Sequence, residues 1–282
     1  MTHRDYLKKG RPLSAQLSKL ILTAEEENRH ILRVADFKEF YQTTDSNART
    51  MISQLVDMGW LVRVGRGCYQ LQPAKTGLDP YPISDKFVVA GQFAVDSFIA
   101  YGSAAEYYGL TTQVFQTVLL ATTRRRKEMS LPKPRIHLIL VESENFVGYQ
   151  KMTKAPDVQI ATIDRTVIDA IKRPDLCGGI SDIREILLRA RSKTNVARVI
   201  EYLPTYHSKS LIQKVGYLLD TFGFGLKDND KEQLLTLCRG SKAYLFSRKQ
   251  NGTTDEHHYS KEWQVVINAP GFLPEQAKGT QL

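Results

Sequence analysis

The segment from Val34 to Leu71 constrains the fold of this 282-residue chain more than any other. Its apolar residues first recur at helical spacing, then a polar turn follows, and then a longer amphipathic pattern begins. After Gly59 the pattern changes to the alternation typical of strands, on both sides of the tight turn Gly65-Arg66-Gly67. The segment therefore predicts a short helix, a turn, a longer helix and a β-hairpin.

The polar turn and the helix that follows it have recognisable boundaries. Residues 43–46 are predicted to form the turn, because short side chains that carry oxygen acceptors favour caps over helix interiors. The longer helix is predicted over about 45–58. Its predicted inward residues are Ala48, Met51, Ile52, Leu55 and Val56. Two helices and a hairpin in this order are typical of a winged helix-turn-helix, whose second helix enters the major groove of DNA.

The outward face of this second helix is nearly free of acidic residues and rich in hydrogen-bonding groups that suit base edges. It carries Asn47, Arg49, Thr50, Ser53 and Gln54. Two further arginines, Arg63 and Arg66, lie on the hairpin, where a wing would meet phosphate or the minor groove. We predict a DNA-binding surface. The alternative is a helical hairpin and β-ribbon used for protein contacts.

The rest of the chain is predicted to form a second, larger domain. Pro73 to Pro82 is rich in proline and glycine and has no periodicity, which indicates a linker over 74–83 between domains 1–73 and 84–282. The second domain should begin with a buried, helix-rich segment over 87–110. Strands are expected at 116–122, 135–141, 145–152, 158–161, 243–246 and 263–267, helices at 163–171, 180–190, 196–203, 210–222 and 231–238, and a polar loop near 247–261. The tail after Pro270 is predicted to be disordered. The predicted fold class is α+β, an N-terminal winged helix followed by a larger mixed α/β domain.

Charge and cysteine usage limit the partners and the compartment. The net charge of +9 suggests an anionic partner, although a merely basic protein is the alternative. The three cysteines are far apart and have no zinc-ligand spacing. The polar N-terminal arm lacks the apolar core of a signal peptide, and no apolar run is long enough to span a bilayer. We predict a cytoplasmic protein that is not associated with a membrane.

A basic run follows the first strand of the second domain. Arg124, Arg125, Arg126 and Lys127 come directly after two threonines. Clustered arginines beside threonines suit phosphate contacts or an acidic partner. A solvated loop is the alternative reading.

The sequence predicts no catalytic residues, no metal site and no cofactor. His257 and His258 are adjacent, and neighbouring strand residues point apart and rarely share a metal ion. Asp164 and Asp169 are interpreted as a helix cap and a surface position. Glu142 and Glu144 have no lysine at the spacing that a metal nuclease needs, and no phosphate-binding loop or nucleophile elbow is present.

Four blocks in series resemble a known family. They are GWLVRVGRGCYQL (59–71), SAAEYYGLT (103–111), VLLATTRRR (118–126) and IATIDRTVIDAIKRPDLCGG (160–179). With the helices before them they cover about 34–186, and in order they are similar to the AbiEi-type antitoxins of type IV toxin–antitoxin systems, which act in abortive infection.

The resemblance implies a cytoplasmic autorepressor whose winged helix binds double-stranded operator DNA and whose second domain counters a nucleotidyltransferase-fold toxin as part of antiviral defence. The motif positions implied for DNA binding are Ser46, Asn47, Arg49, Thr50, Arg63 and Arg66, and the second-domain motif includes Arg124–Arg126. The sequence leaves open the operator, direct contact with the toxin, and whether the protein binds DNA as a homodimer. A metal-dependent nuclease with a winged helix, and a transcription factor that senses a ligand, are the alternatives.

Overall fold

The structure is a computed structural model that describes residues 12–74, 85–125, 135–246 and 258–274. Within these ranges the chain forms ten α-helices and eleven β-strands in three sheets. The predicted α+β class, with an N-terminal winged helix ahead of a larger mixed domain, is confirmed. The predicted N-terminal arm, most of the linker, Arg126, Lys127, His257, most of the polar loop and the tail from residue 275 lie outside the described residues.

The N-terminal unit has the element order of a winged helix. Its elements are α1 (Ala15–Glu26), β1 (Ile31–Arg33), α2 (Val34–Tyr41), α3 (Asp45–Asp57), β2 (Leu61–Gly65) and β3 (Cys68–Leu71). The three strands form an antiparallel sheet in the order β1-β3-β2. Helix α3 is the second helix of the helix-turn-helix, and the β2–β3 hairpin is the wing.

Strand β1 was not predicted, because the apolar residues before Val34 were assigned to the following helix. Leu32 instead lies opposite Tyr69 of β3 and is fully buried in the core of the winged helix. Its neighbour Ile31 belongs to the core of the second unit. Successive residues of a strand point to opposite faces, so this two-residue apolar run serves two cores at once.

The second unit contains the remaining elements. They are α4 (Lys86–Phe93), β4 (Ser97–Ile99), α5 (Tyr101–Tyr107), β5 (Thr117–Thr122), β6 (Arg135–Leu140), β7 (Tyr149–Met152), β8 (Ala155–Ala161), α6 (Ile163–Lys172), α7 (Ile180–Ala190), α8 (Val196–Tyr202), α9 (Lys209–Thr221), α10 (Asp228–Cys238), β9 (Ala243–Tyr244), β10 (His258–Ser260) and β11 (Val265–Ile267). The predicted helices and most predicted strands are confirmed, with ends that differ by a few residues.

A mixed five-stranded sheet in the order β6-β5-β4-β8-β7 organises this unit. Strand pairs β5–β6 and β4–β8 are parallel, whereas β4–β5 and β7–β8 are antiparallel. The central strand, β4, lies inside the segment that was predicted as helix-rich. All three β4 residues are buried, and a fully buried strand of this length has no polar alternation to mark it.

The C-terminal part corrects two further predictions. Strand β10 was assigned to a polar loop, but it pairs with β11, which also pairs with β9. The segment after Pro270 was predicted to be disordered, yet Phe272 and Leu273 are buried in the core of the second unit. Phe272 packs against the rings of Phe222 and Phe246, with ring centroids 5.5 and 5.0 Å apart.

Candidate nucleic-acid interface

Helix α3 is positioned by signals at both of its ends. At the start, Thr44 is the N-cap, and its hydroxyl accepts a hydrogen bond from the backbone N–H of Asn47 at 3.3 Å. At the end, Gly59 has a positive φ of 77°, which a residue with a side chain rarely adopts. Between these ends Ala48, Ile52 and Leu55 are buried against α1 and α2. The helix is thereby held with its opposite face outward.

The structure places the predicted recognition residues together on this outward face. All are exposed, and so are two further polar residues on the next turn; the set is Ser46, Asn47, Arg49, Thr50, Ser53 and Gln54. The Thr50 hydroxyl donates to the carbonyl of Ser46 at 3.1 Å, a bond within the helix that leaves the other side chains of this face pointing to solvent. The face offers donors and acceptors of the kind that read base edges.

One acidic residue, Asp45, lies at the start of this face. Its carboxylate is 2.6 Å from the Lys38 ammonium and 3.6 Å from the Arg49 guanidinium. The hydrogen bond from Lys38, together with the charges of Lys38 and Arg49, lowers the pKa of this carboxyl. Asp45 is fully charged at neutral pH and holds Arg49 near the helix N-terminus.

The wing carries the other two predicted arginines. Arg63 lies on β2 and Arg66 in the turn, and both side chains are exposed. The Arg63 Nε donates to the carbonyl of Gly65 at 3.4 Å, at a point where the β2–β3 register shifts. Gly67 completes the turn with a φ of 69°. The hairpin therefore exposes two guanidinium groups.

The basic run of the second unit is only partly described. Arg124 follows β5 and forms an ion pair with Asp96, with 2.8 Å between Nη1 and Oδ2, and Arg125 is exposed. Both lie at one end of the five-stranded sheet, on a different sheet from the wing. The structure thus places Arg124 and Arg125 in a group of their own, as the sequence predicts.

Two residues that connect the winged helix to the second unit were missed by the sequence analysis. Gln92 of α4 is buried, and its amide oxygen accepts hydrogen bonds from the backbone N–H groups of His30 and Ile31 at 2.6 and 3.3 Å. Its amide nitrogen donates to the carbonyl of Asn28 at 3.0 Å. Arg33 donates in return to the carbonyl of Gln92 at 2.6 Å. A lone glutamine or arginine in sequence carries no signal of such a role.

The prediction that Asp169 lies on the surface is wrong. It is fully buried and pairs with Arg165, one helical turn earlier on α6, at 2.9 Å from Nε to Oδ1. Burial raises the pKa of Asp169, and Arg165 opposes that rise. Burial alone would lower the pKa of Arg165, but the charge of Asp169 raises it. The prediction that Asp164 is a helix cap is also wrong, because the N-cap of α6 is Thr162. Asp164 is buried and accepts from the N–H of Asn195 at 2.7 Å.

Three further features of the described residues concern metal ligands, the buried thiol and the length of the helices. No three histidine, cysteine or carboxylate side chains lie together as a metal site within the described ranges. Burial raises the pKa of Cys177 well above its ordinary value, which keeps this thiol protonated. Among the described helices, none is both long and apolar enough to cross a membrane.

Comparison with known proteins supports the fold. A scan against protein-family models finds no match, and a search of curated protein sequences finds none either. Among solved structures, the crystal structure of the RV2827C protein from Mycobacterium tuberculosis is similar, with a TM-score of 0.60 and 15% sequence identity. The similarity covers 91% of this chain and 92% of the other. Both units therefore recur together, in one chain of comparable length, in a protein of low sequence identity.

Proposed function

We propose that this protein binds double-stranded operator DNA through α3 and the wing, and that it represses its own operon. The observation that carries the proposal is the outward face of α3, on which Asn47, Arg49 and Thr50 lie together, exposed, ahead of a hairpin that exposes two arginines. In this proposal Asn47, Arg49 and Thr50 contact base edges, and Arg63 and Arg66 contact phosphate. Ser46, in the first turn of α3, lies where backbone N–H groups favour a phosphate.

The second part of the proposal is antitoxin activity. It rests on the four sequence blocks that resemble the AbiEi-type antitoxins. Three of these blocks belong to the sequence of the second unit. We propose that this unit counters a nucleotidyltransferase-fold toxin from a neighbouring gene in the cytoplasm. The protein then acts by binding and not by catalysis, and it needs neither metal nor cofactor.

The DNA-binding proposal is tested with gel-shift titrations of the full chain on DNA from upstream of its own gene and on scrambled DNA of equal length. Arg49→Ala is expected to reduce the preference for the specific sequence by about 5–150-fold, equivalent to about 1–3 kcal/mol for a base contact. Arg66→Ala should weaken binding to both DNAs alike and lower the salt dependence by about one phosphate contact.

Two matched variants complete this test. Asp45→Asn should tighten binding to both DNAs, because it removes a negative charge from the face that is proposed to meet the DNA. Arg191→Ala removes an exposed arginine after α7 and should leave binding unchanged. Unchanged binding in both Arg49→Ala and Arg66→Ala would show that α3 and the wing do not bind DNA.

The antitoxin proposal is tested by co-expression with the neighbouring nucleotidyltransferase-fold gene from an unrelated promoter. The full chain should restore growth. The double variant Arg49→Ala/Arg66→Ala should restore growth equally, because repression plays no part under that promoter. Failure of the wild-type chain to rescue would remove the antitoxin assignment and leave DNA binding untouched.

A further inference from the structure

A cleft of about 320 Å³ opens at the end of the five-stranded sheet where β5 ends and β8 begins. Its lining residues come from α4, the turn into β4 and the start of β4, the segment after β5, the segment before β7, and from β7 and β8 themselves. The side chains that matter for its chemistry are Asp96, Arg124, Phe146, Tyr149, Asp157 and Gln159. Its volume lies at the lower end of the range of small-molecule sites, and it suits a ligand no larger than a nucleotide.

An aromatic platform forms one wall of the cleft. Tyr149 stacks on Phe98 with ring centroids 5.0 Å apart and an interplanar angle of 19°, and Phe146 packs against both rings. Phe98 is fully buried, whereas Tyr149 is 36% exposed. The buried Arg165 guanidinium lies 5.6 Å from the centre of the Phe98 ring and supports the stack from within. The outermost ring, Tyr149, is thus held by packing and available for stacking.

Hydrogen-bonding groups lie beside this platform. Tyr149 of β7 lies opposite Ala161 of β8, and Gln159 lies two residues before Ala161 on β8. The Gln159 amide can both donate and accept, and the carboxylate of Asp157 accepts only. A flat ring that stacks on Tyr149 would therefore meet groups able to pair with the polar edge of a nucleobase.

Arg124 supplies a cationic group to the same cleft. Its guanidinium pairs with Asp96, but the two side chains are 67% and 50% exposed, so the pair is weak and easily exchanged. Guanidinium groups bind phosphate through two parallel hydrogen bonds. The next residue, Arg125, is exposed and adds positive charge at this end of the sheet.

We propose that this cleft binds a nucleotide. The base stacks on Tyr149 and pairs with Gln159 or Asp157, and the 5′-phosphate displaces Asp96 from Arg124. The same chemistry is present in a free nucleotide and in the 5′-phosphorylated end of a single strand. This site is separate from the winged helix, and the inference does not depend on operator binding or on antitoxin activity.

The test is isothermal titration of the full chain with the four common ribonucleoside 5′-monophosphates and triphosphates, and with the parent nucleosides. At least one nucleotide is expected to bind saturably with one site per chain. Tyr149→Leu should weaken that binding about ten-fold or more, whereas Tyr149→Phe, which keeps the ring, should retain it. Tyr244→Ala, which removes an exposed tyrosine on β9, should have no effect.

The phosphate contact is tested separately. Arg124→Ala should weaken nucleotide binding about ten-fold and leave nucleoside binding unchanged, while Asp96→Asn should tighten nucleotide binding because it frees the arginine. A 5′-phosphorylated single-stranded oligonucleotide is titrated into the Arg49→Ala/Arg66→Ala variant, so that α3 and the wing do not contribute. Tighter binding of the oligonucleotide than of any free nucleotide identifies a strand end as the source.

The inference is overturned if neither free nucleotides nor the phosphorylated oligonucleotide bind. It is equally overturned if binding occurs but survives both Tyr149→Leu and Arg124→Ala in chains that unfold at the wild-type temperature. A loss of operator binding in the gel shifts, by contrast, would leave it standing.

Discussion

At the scale of single residues, the Arg165–Asp169 pair is the most demanding contact of the second unit. The two side chains are 1% and 0% exposed. Arg165 also donates to the carbonyls of Asn145 and Val147 at 2.6 and 2.9 Å, so that α6 is tied to the loop before β7. A buried charge is tolerated only when it is paired and hydrogen-bonded, because moving it out of water alone costs several kcal/mol.

We therefore predict that Asp169→Asn lowers the free energy of unfolding by about 3–5 kcal/mol, because it leaves the guanidinium charged and unpaired in the core. Urea denaturation measures this change. Asp175→Asn is the matched control, since Asp175 pairs with Arg173 on the surface and should contribute at most about 1 kcal/mol. Equal effects of the two substitutions would contradict the structural role of the buried pair.

At the scale of elements, the exposed face of α3 depends on how the helix begins and on which of its residues are buried. The Thr44 cap orders the first turn, which carries Ser46 and Asn47, and the buried stripe Ala48, Ile52 and Leu55 sets the direction of the exposed face. Fraying of that first turn would disorder two of the side chains proposed to meet DNA. Capping thus couples helix stability to the geometry of the proposed interface.

Thr44→Ala is predicted to cost about 1 kcal/mol of unfolding free energy, since it removes the acceptor for the Asn47 N–H. It should also weaken binding to the specific DNA. Thr43→Ala, one residue earlier, removes a hydroxyl outside the cap and serves as control. Urea denaturation and gel shifts on the same samples check both effects. If Thr44→Ala and Thr43→Ala change stability and DNA binding equally, the cap does not support α3.

At the scale of the whole molecule, the sheet of the winged helix is buried on both faces. One face of the β1-β3-β2 sheet packs under α1–α3, and the other packs on the second unit through Ile31, Val62, Val64 and Cys68. The side-chain amide oxygen of Gln92 accepts from the backbone N–H groups of His30 and Ile31, at the start of β1. The winged helix is thus fixed to the second unit by a buried apolar face and a hydrogen-bonded edge.

Gln92→Leu is predicted to loosen this junction. It removes three hydrogen bonds that Gln92 makes to the backbone of His30, Ile31 and Asn28, and the loss of a buried hydrogen bond costs about 1–3 kcal/mol. Hydrogen–deuterium exchange of the peptide that contains β1 should become faster, while exchange in α9 should not change. Gln116→Leu, at an exposed glutamine before β5, is the control. Unaltered exchange at β1 would show that Gln92 does not hold the two units together.

Except for strand β1, the winged helix could be predicted because its signals are local. Thr44, Gly59 and the 48-52-55 spacing each act within a few residues, and the structure confirms them. The second unit was predicted element by element, but its central strand, β4, was hidden in an apolar segment. The exposed side chains of α3 and the wing follow directly from periodicity. The cleft at Tyr149 could not be predicted, since it combines residues from several elements that are far apart in the sequence.

The sequence by itself determined the helix-turn-helix and the hairpin of the winged helix, which face of α3 is polar, and that Arg124 and Arg125 lie apart from the winged helix. Only the tertiary structure decided that Asp169 is buried, that Gln92 hydrogen-bonds the backbone at the start of β1, and that Arg124 and Tyr149 line one cleft. The physical reason is the distance along the chain over which each interaction acts. Caps and periodicity act over one or two turns, whereas burial and long-range pairing depend on which elements become neighbours when the chain folds.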